Sequence, residues 1–436
     1  MKVDLDILSS VQRKVRVELP SEVVADEFLR AYERLGQRAR IKGFRPGRAP
    51  RSVLQGLYGD EVRREVLTRL VERSLHEVFA QHGLQVVSRP QIEADGLEEG
   101  RAWRFSALFE VKPEIEVKNY LGVELEKVRL EPDGAQVEAA LNRLQEAHAH
   151  LQPVEERDVV ERGDFVVLDF VGSMDGKPFA EGKGENYLLE VGAGRALPQF
   201  EEAVIGLKKS EEHAVTVAYP EGYLNRRLAG KVAVFRVMVQ EIKKKILPPL
   251  DDEFAKDHGE CANLEELKAK IRARLEGELS KIQDRELKEQ LLTRLIEAHP
   301  FESPSALVEE QLRYLVERHR DRLAAQGPSP SGEGPSREEL QKELGPHALR
   351  QVKARLLVER IAALEKIEVS DPEVGQRIEE ILRSARDDGE ALREFYRREE
   401  AREDLRSQMV FERTLDYLVE RARVKEVERS ATKAST

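Results

Sequence analysis

From residue 11 to residue 19 the hydrophobic pattern has a period of two, and after Pro20 it changes to a helical period. Alternation over 11–19 predicts a β-strand with one apolar face. The apolar residues that follow are spaced three or four apart and predict an amphipathic helix, with Ser21 as its N-cap and its arginines on the polar side. The two apolar faces are formed by Val11, Val15, Val17 and Leu19 in the strand, and by Val24, Phe28, Ala31, Leu35 and Ala39 in the helix.

A second helix is predicted from about 59 to 82, because apolar residues recur at steps of four and Gly83 offers a C-cap. Short strands are predicted at 84–87 and 103–111. Together these elements predict an α+β domain over 1–112, with an exposed tip between its two helices. The second helix is defined by Val62, Val66, Leu70, Ser74 and Val78.

The stretch 113–150 has the pattern of a connector. Its first part, 113–130, is predicted to be extended, and Pro132 and Gly134 interrupt it. A helical period over 135–151 then ends before a proline. We expect this helix to act as a strut between two modules.

Residues 151–245 predict a small antiparallel β domain. The run 164–171 is rich in Val, Leu and Phe and predicts a strand, and Asp175-Gly176 directly after it is a strong hairpin signal. A short helix and two further strands complete the domain. They are predicted at 199–205 for the helix and at 215–217 and 232–242 for the strands.

Residues 246–436 predict an all-α domain with extended helical arms. Asn263 is a good N-cap for a long helix that runs to about His299. A tract rich in Pro, Gly and Ser at 327–336 predicts a disordered tip loop between antiparallel helices. Further helices are predicted at 336–366, 371–385, 388–397 and 399–422.

The apolar stripes of these helices have two interpretations. They can all be buried in a helical bundle, or two arms can leave shallow apolar grooves open to bind unfolded chains without demanding a sequence. The pattern alone does not separate buried from exposed positions. The positions that we name as candidates for a substrate groove are Val308, Leu312, Leu315, Leu356, Phe411 and Leu415.

Composition and charge narrow the class of protein. Charged residues make up 36% of the chain and the net charge is −11, which favours long solvent-exposed helices over one compact globule. The first residues are acidic where a signal peptide needs an apolar run, and no apolar run of ~18 residues occurs, so we expect a cytoplasmic protein without a membrane segment. The single cysteine, Cys261, excludes an intrachain disulfide. The histidines show no metal-binding spacing, so we expect no metal and no other cofactor.

One segment, 41–50, stands apart from this acidic background. Two glycines and two prolines give it a preset loop shape. Between Arg30 and Arg51 there are eight Lys or Arg residues against Glu33 alone, so the local charge is +7. Such a basic tip predicts docking to a polyanion. Phe44 is its one aromatic residue, which favours phosphate or carboxylate contacts over base reading. A solvated basic hairpin without a partner is the alternative.

This tip resembles the ribosome-docking signature of the bacterial trigger factor family. The match follows an amphipathic helix, as it does in that family. It implies that the loop binds the ribosome near the polypeptide exit, through ribosomal protein and RNA, and binding of this kind is expected to weaken with salt. The residues of the match are Gly43, Phe44, Arg45, Gly47, Arg48 and Pro50, with Pro46 between them.

The segment 151–245 resembles the FKBP-type prolyl isomerase fold, a half-open antiparallel sheet wrapped on one helix. The resemblance implies that Leu197 N–H holds the carbonyl before proline, that Tyr223 supplies a hydroxyl and that Asp169 orients the pocket. Gln199 and Tyr187 depart from the Gly and Phe usual in trigger factors. The segments that carry the resemblance are 168–172, 175–179, 194–201, 219–223 and 231–235. The implied pocket is Asp169, Phe170, Phe179, Tyr187, Ala196, Leu197, Phe200, Tyr223 and Phe235. Without the resemblance, these aromatic residues have a simpler interpretation as the core of a small β domain.

The two motifs lie in the order found in trigger factors, and the resemblance extends over essentially all 436 residues. It implies a chaperone that holds nascent polypeptides between its arms, isomerises Xaa–Pro bonds and assists folding and export without ATP. It also implies a possible homodimer away from the ribosome. A periplasmic isomerase-chaperone, a nucleic-acid-binding protein and a structural scaffold remain as alternatives.

Overall fold

A computed structural model of the chain describes residues 1–41, 44, 50–174, 176–223, 225, 227–259, 261–325, 336–385 and 389–427. These residues form two compact units. The first contains the described residues of 1–126, 287–326 and 335–425, and the second contains those of 127–286 and 426–436.

The first unit begins with an antiparallel sheet that packs on two helices. Its elements are β1 (Lys2–Ile7), β2 (Gln12–Leu19), α1 (Ser21–Arg38), α2 (Arg51–His82), β3 (Gln91–Ala94) and β4 (Trp103–Glu110). The strand order is β1-β2-β4-β3. Val17, Phe28, Val66 and Trp103 belong to the core between sheet and helices. The predicted apolar faces of β2, α1 and α2 are confirmed, because their residues are buried or pack against this core.

Several boundaries in this module differ from the prediction. Pro20 occupies the N-cap position of α1, and Ser21 is its first helical residue. Helix α2 begins well before 59: it starts at Arg51, directly after Pro50 at the N-cap position, and continues through Gly56 and Gly59. The predicted strand 84–87 is reduced to one bridge between Val86 and Val111. Strands β1 and β3 were not predicted. Both are short edge strands, of six and four residues.

The predicted connector contains one strand and one helix. Strand β5 (Glu124–Val128) lies in the stretch predicted to be extended and pairs with β11 (Arg423–Val427). Helix α3 (Gly134–Ala147) is capped by Asp133, whose Oδ1 accepts a hydrogen bond from Gln136 N at 2.7 Å. The helix ends before 151, because the residues that follow join a sheet.

The second unit holds a five-stranded antiparallel sheet. Its elements are β6 (His150–Pro153), β7 (Phe165–Met174), β8 (Lys177–Glu190), α4 (Pro198–Val204), β9 (Glu212–Ala218) and β10 (Val232–Ile246). The order is β6-β10-β7-β8, and β9 also pairs with β10. Leu168, Val204, Val217 and Val237 pack between the sheet and α4 in one core. The predicted strands and short helix are confirmed, each somewhat longer or shifted by a residue, and β6 was not predicted.

The other elements in the described part of the chain are helices. The helices are α5 (Asp252–Gly259), α6 (Leu264–Ala298), α7 (Ser305–Ala325), α8 (Arg337–Glu365), α9 (Asp371–Ser384), α10 (Gly389–Phe395) and α11 (Glu399–Glu420). Asn263 caps α6 as predicted, since its Oδ1 accepts from Glu266 N at 2.9 Å. In the first unit, Leu295, Ile361 and Leu418 are central to a core shared by α6, α8 and α11. The predicted fold class is confirmed: an α+β module, an antiparallel β domain with one short helix, and a helical region.

Candidate functional site

A cluster of aromatic rings packs on one face of the sheet in the second unit. The ring centroid of Phe170 on β7 lies 5.6 Å from that of Tyr187, 5.9 Å from Phe200 and 6.0 Å from Phe235, all edge-to-face. Phe179 joins the cluster at 6.1 Å from Phe235. These are the distances of favourable aromatic pairs. Phe200 and Phe235 are buried, whereas Tyr187 is 43% exposed, so the cluster reaches solvent at Tyr187.

Three glycines let these rings lie directly on strand backbone. A Cβ at any of them would overlap a ring, so every other residue type would push the aromatic cluster outward. Sequence reasoning included Gly172 in a motif but missed Gly182 and Gly184. Two glycines spaced two residues apart in a predicted hairpin strand indicate a strand face that carries no side chains at those positions. The pairs, with the distance from a built Cβ to the nearest ring carbon, are Gly172 with Phe235 (2.7 Å), Gly182 with Phe179 (2.5 Å) and Gly184 with Phe170 (2.5 Å).

Glu201 organises the loop before α4. This carboxylate is only 4% exposed. Its Oε2 accepts from the N–H groups of Gly192 and Gly194, both at 3.0 Å, and its Oε1 accepts from Ala196 N at 2.7 Å. Burial by itself would raise the pKa of Glu201, but the backbone donors of Ala196, Gly194, Gly192 and Arg195 together hold it below its usual range. Sequence reasoning missed this role, because an acidic residue in a short helix has the same pattern as a solvated one.

Leu197 follows this loop at the N-cap position of α4. Its carbonyl accepts from Phe200 N at 2.8 Å, and its own N–H has no hydrogen-bond acceptor among the residues that the structure describes. Tyr223 stacks edge-on against Tyr219 at 4.8 Å, and burial raises the pKa of Tyr219. Ala196, Leu197 and Tyr223 all pack on the core that contains Phe200. Apart from Asp169, the predicted pocket residues are therefore brought together.

Asp169 lies apart from the rings, which corrects the expectation that it forms part of the pocket. Side chains alternate along β7, so Asp169 and Phe170 face opposite sides of the sheet. Asp169 Oδ1 accepts from Asn186 N at 2.7 Å, and its Oδ2 accepts from Gln240 Nε2, also at 2.7 Å. Asp169 thus links β7 to the strands on both sides of it.

The predicted docking loop lies between α1 and α2, and the structure describes it at Ile41, Phe44 and Pro50. Phe44 is 40% exposed, and its N–H donates to Ile41 O at 3.1 Å. Pro50 is exposed and occupies the N-cap position of α2. An exposed aromatic ring between two helix ends is accessible to a large partner. The other predicted docking residues lie outside the described residues: Gly43, Arg45, Pro46, Gly47 and Arg48.

Several cations near the tip are bound within the chain, which lowers the charge available to a partner below the count from sequence. Arg30 pairs with Asp26 at 2.8 Å, and Arg51 pairs with Glu99 and lies over the ring of Tyr32.

Arg34 is bound in the same way, between Glu27 at 3.2 Å and Glu65 at 3.1 Å. Arg38 and Arg40 are exposed and form no ion pair with any described residue. They are therefore the cations of this end of α1 that remain available for an external anion.

The helical candidates for a client groove divide into two groups. Val308, Leu312, Leu315 and Phe411 are half-buried. Leu356 and Leu415 are buried in cores of the first unit, which corrects the expectation that they line an open groove. Leu356 and Leu415 lie on helix faces that pack against neighbouring helices. Helical spacing alone does not distinguish these two residues from the four that are half-buried. Sequence reasoning also missed Tyr314, which is 54% exposed on α7.

Neither a metal-binding cluster nor a membrane-spanning helix is found in the described part of the chain. No three His, Cys, Asp or Glu side chains come together in a way that could hold a metal ion among the described residues. No described helix is both long enough and apolar enough to cross a bilayer.

Comparison with known proteins finds family models that match three segments of the chain. Residues 1–144 match the family model of the bacterial trigger factor protein, and 263–420 match that of its C-terminus. Residues 157–240 match the FKBP-type peptidyl-prolyl cis-trans isomerase model. Trigger factor of Geobacter metallireducens is 40% identical over 98% of this chain and 99% of its own. Trigger factor of Geotalea uraniireducens is 36% identical over 99% and 100%.

A solved structure from work on promiscuous substrate recognition in folding and assembly activities of the trigger factor chaperone is also similar. It has a TM-score of 0.59 at 24% identity, over 96% of this chain and 99% of that one, so it supports the fold.

The fold and the aromatic site define a multidomain protein that carries an FKBP-type peptidyl-prolyl isomerase domain. The chain belongs to the bacterial trigger factor family. It is a chaperone of that family, with isomerase activity and a ribosome-binding N-terminal domain, and family membership implies binding to ribosomes and nascent chains. The resemblance drawn from the two motifs is confirmed.

Proposed function

We propose that the aromatic cluster around Phe170 is the proline pocket of the isomerase. The observation that carries this assignment is the edge-to-face packing of Phe170 with Tyr187, Phe200 and Phe235 on a strand face kept empty by glycines. A proline ring bound at the exposed side of Tyr187 meets aromatic carbon on several sides. This pocket takes an Xaa–Pro segment of an unfolded chain.

The chemistry follows from the amide bond. Rotation of an Xaa–Pro bond faces a barrier of ~20 kcal/mol from resonance. The twisted amide has lost this resonance and part of its dipole, so an aromatic environment favours it over the planar form. Leu197 N–H, on the loop held by Glu201, donates to the carbonyl oxygen before proline, and the Tyr223 hydroxyl is a second donor. The reaction requires no nucleophile and no general base.

The test is a pair of variants on β8. Tyr187→Ala removes the solvent-side wall of the pocket, so we expect kcat/KM for a Leu-Pro peptide to fall about tenfold, as for loss of one binding contact. Leu188→Ala is the matched control, because Leu188 is the next residue, is exposed and faces the other side of the strand. Rates that stay unchanged in both Tyr187→Ala and Phe200→Ala would remove the pocket assignment.

The 43–50 loop is proposed to bind the ribosome near the polypeptide exit. In this proposal, Phe44 inserts into a depression on the ribosome surface. The neighbouring cations contact RNA phosphates or carboxylates of a ribosomal protein. Exposure of Phe44 and the unpaired state of Arg38 and Arg40 among the described residues support this role. Co-sedimentation with ribosomes at rising salt tests it, since electrostatic docking weakens as salt increases.

Client chains are proposed to contact the half-buried apolar residues of the arms, Val308, Leu312, Leu315 and Phe411, together with the exposed Tyr314. Support comes from their partial exposure among charged neighbours. A photo-crosslinking residue at 314 should capture an unfolded client, and one at 356 should not, because Leu356 is buried. Equal capture at both positions would contradict this surface.

Each part of the chain is proposed to have its own role in the cytoplasm: residues 1–112 dock on the ribosome, 113–150 connect, 151–245 isomerise Xaa–Pro bonds and 246–436 hold client chains.

Away from the ribosome, a second copy of the chain is proposed to cover the apolar turn between β1 and β2, where Ile7 is 72% exposed. Sedimentation velocity tests this homodimer. Ile7→Ser should shift the population toward monomer, and a monomer at all concentrations in the unmodified chain would exclude the dimer.

A further inference from the structure

Two β-bulges lie close to Asp169, one on each neighbouring strand. On β8, Leu168 is opposite Tyr187 and Phe170 is opposite Gly184, so β8 has one more residue than β7 across this stretch. On β10, the register with β7 also shifts by one residue between Val239 and Glu241. Gln240 is the extra residue there. The bulge on β8 therefore lies opposite Asp169. The bulge on β10 lies between the partners of Leu168 and Val167, because Asp169 itself pairs regularly with Met238.

The Asp169 carboxylate bonds to both bulges. A bulge leaves a backbone group without its ladder partner. On β8 this group is Asn186 N–H, and it donates to Asp169 Oδ1 at 2.7 Å. Asn186 has a φ of 51°, a left-handed conformation that a residue with a side chain adopts at a cost. On β10, the Gln240 side chain donates to Asp169 Oδ2 at 2.7 Å.

The bulge on β8 decides where Tyr187 points. Tyr187 directly follows Asn186, and its ring stands edge-on to Phe170 at 5.6 Å. A strand without the bulge would shift β8 by one residue and turn Tyr187 to the other face. Whatever stabilises the conformation of Asn186 therefore also holds the solvent-side wall of the aromatic cluster.

We infer that Asp169 is a positioning residue of the isomerase, which acts through the two bulges to hold Tyr187 over Phe170. The inference rests on the proposed pocket. Asp169 itself touches no substrate, since it lies on the opposite face of the sheet. Tyr187 contacts the bound peptide in its planar and twisted forms alike, so a loss of its position raises KM more than it lowers kcat.

A double-mutant cycle tests the inference on the full chain. Asp169→Ala should lower kcat/KM for a Leu-Pro peptide about fivefold, mainly through KM, and should change it less than about twofold in the Tyr187→Ala background. Asp169→Asn should keep activity within about twofold, because its Oδ1 still accepts from Asn186 N–H and the Gln240 amide can turn to accept from the new amide group. Leu188→Ala remains the control.

The outcomes separate the two claims. If Asp169→Ala lowers kcat/KM equally in the presence and absence of Tyr187, Asp169 acts by another route and the inference is overturned. If Tyr187→Ala by itself has no effect, the inference is overturned, and the pocket assignment fails as well only if Phe200→Ala also leaves the rate unchanged. Should Asp169→Ala not fold, Gln240→Ala removes one of the two links at a partly exposed site. A normal KM in Gln240→Ala, together with unchanged NMR shifts for Tyr187, would then overturn the inference.

Discussion

Glu110 Oε2 accepts a hydrogen bond from Ala306 N at 2.9 Å, so the last residue of β4 caps the start of helix α7. Glu110 Oε1 accepts from Ser305 Oγ at 2.8 Å, and the carboxylate is buried. Ser303, which precedes the helix in sequence, has a buried Oγ with no partner in the described part of the chain. A negative side chain at a helix N-terminus satisfies free N–H groups and interacts favourably with the helix dipole. The sheet of the docking module and an arm of the helical region are thus joined through Glu110.

Replacement of Glu110 should weaken this joint. In Glu110→Ala, the part-buried Ala306 N–H loses its acceptor and the charge at the start of α7 is removed. We expect the free energy of unfolding to fall by about 1–3 kcal/mol. Urea denaturation measures it, with the exposed Glu114→Ala as the control. Equal midpoints for the two variants would show that the cap contributes nothing.

The methyl group introduced by Gly184→Ala should overlap the space that the Phe170 ring occupies. The built Cβ stands 2.5 Å from Phe170 Cε1, so Gly184→Ala forces the ring outward at a cost of about 1–3 kcal/mol. We expect lower thermal stability and slower isomerisation of a Leu-Pro peptide. Gly134→Ala is the control, because nothing lies within 4 Å of its built Cβ. Full isomerase activity in a folded Gly184→Ala protein would place the reaction elsewhere.

The stability that Glu201 confers should depend on pH in a defined direction. Burial alone would raise the pKa of Glu201, but the hydrogen bonds from backbone N–H groups together lower this pKa by more than burial raises it. The pKa in the folded state therefore lies below that in the unfolded state. The contribution is complete above the unfolded pKa of about 4.3 and is lost as pH falls through the folded pKa. The Tm difference between the unmodified chain and Glu201→Gln should therefore be largest near neutral pH and shrink below about pH 4. A difference that grows as pH falls would contradict the hydrogen-bonding scheme.

Arg38 and Arg40 should contribute to ribosome binding although they lie outside the signature at 43–50. We expect Arg38→Ala combined with Arg40→Ala to weaken ribosome affinity several-fold and to reduce the slope of log affinity against log salt by about two. Arg30→Ala is the control, on the helix that ends at Arg38, because Arg30 is already paired with Asp26 at 2.8 Å. Affinity measurements at several salt concentrations check both effects. A control that loses as much as the double variant would show that the effect is a general one of net charge.

Much of the fold follows from the sequence, because long elements with one apolar face repeat their signal many times. The buried face of α2 and the hairpin strands of the isomerase domain are examples. Short strands at the sheet edges escaped prediction. Strand β1 has an alternating pattern, with Val3 and Leu5 packed on the core, but it covers only six residues, and β3 and β6 have four residues each.

The candidate site was predictable where ordered motifs resemble the FKBP family, as for Phe170 and Phe235, since aromatic residues by themselves are equally typical of a core. The supporting contacts were not. Glu201 and Asp169 act through backbone N–H groups that only the folded chain brings near, and their own neighbours in sequence do not reveal them. Burial of Leu356 was equally hidden, since helical spacing is the same for a core residue and a groove residue.

The most direct test of the central claim is a ribosome pelleting assay with Phe44→Ala combined with Arg45→Ala, run beside an isomerase assay on the same protein. The two substitutions lie in the docking loop, far in sequence from the aromatic cluster. We predict that the variant stays in the supernatant while its kcat/KM for a Leu-Pro peptide equals that of the unmodified chain. A variant that still pellets with ribosomes would contradict docking through this loop.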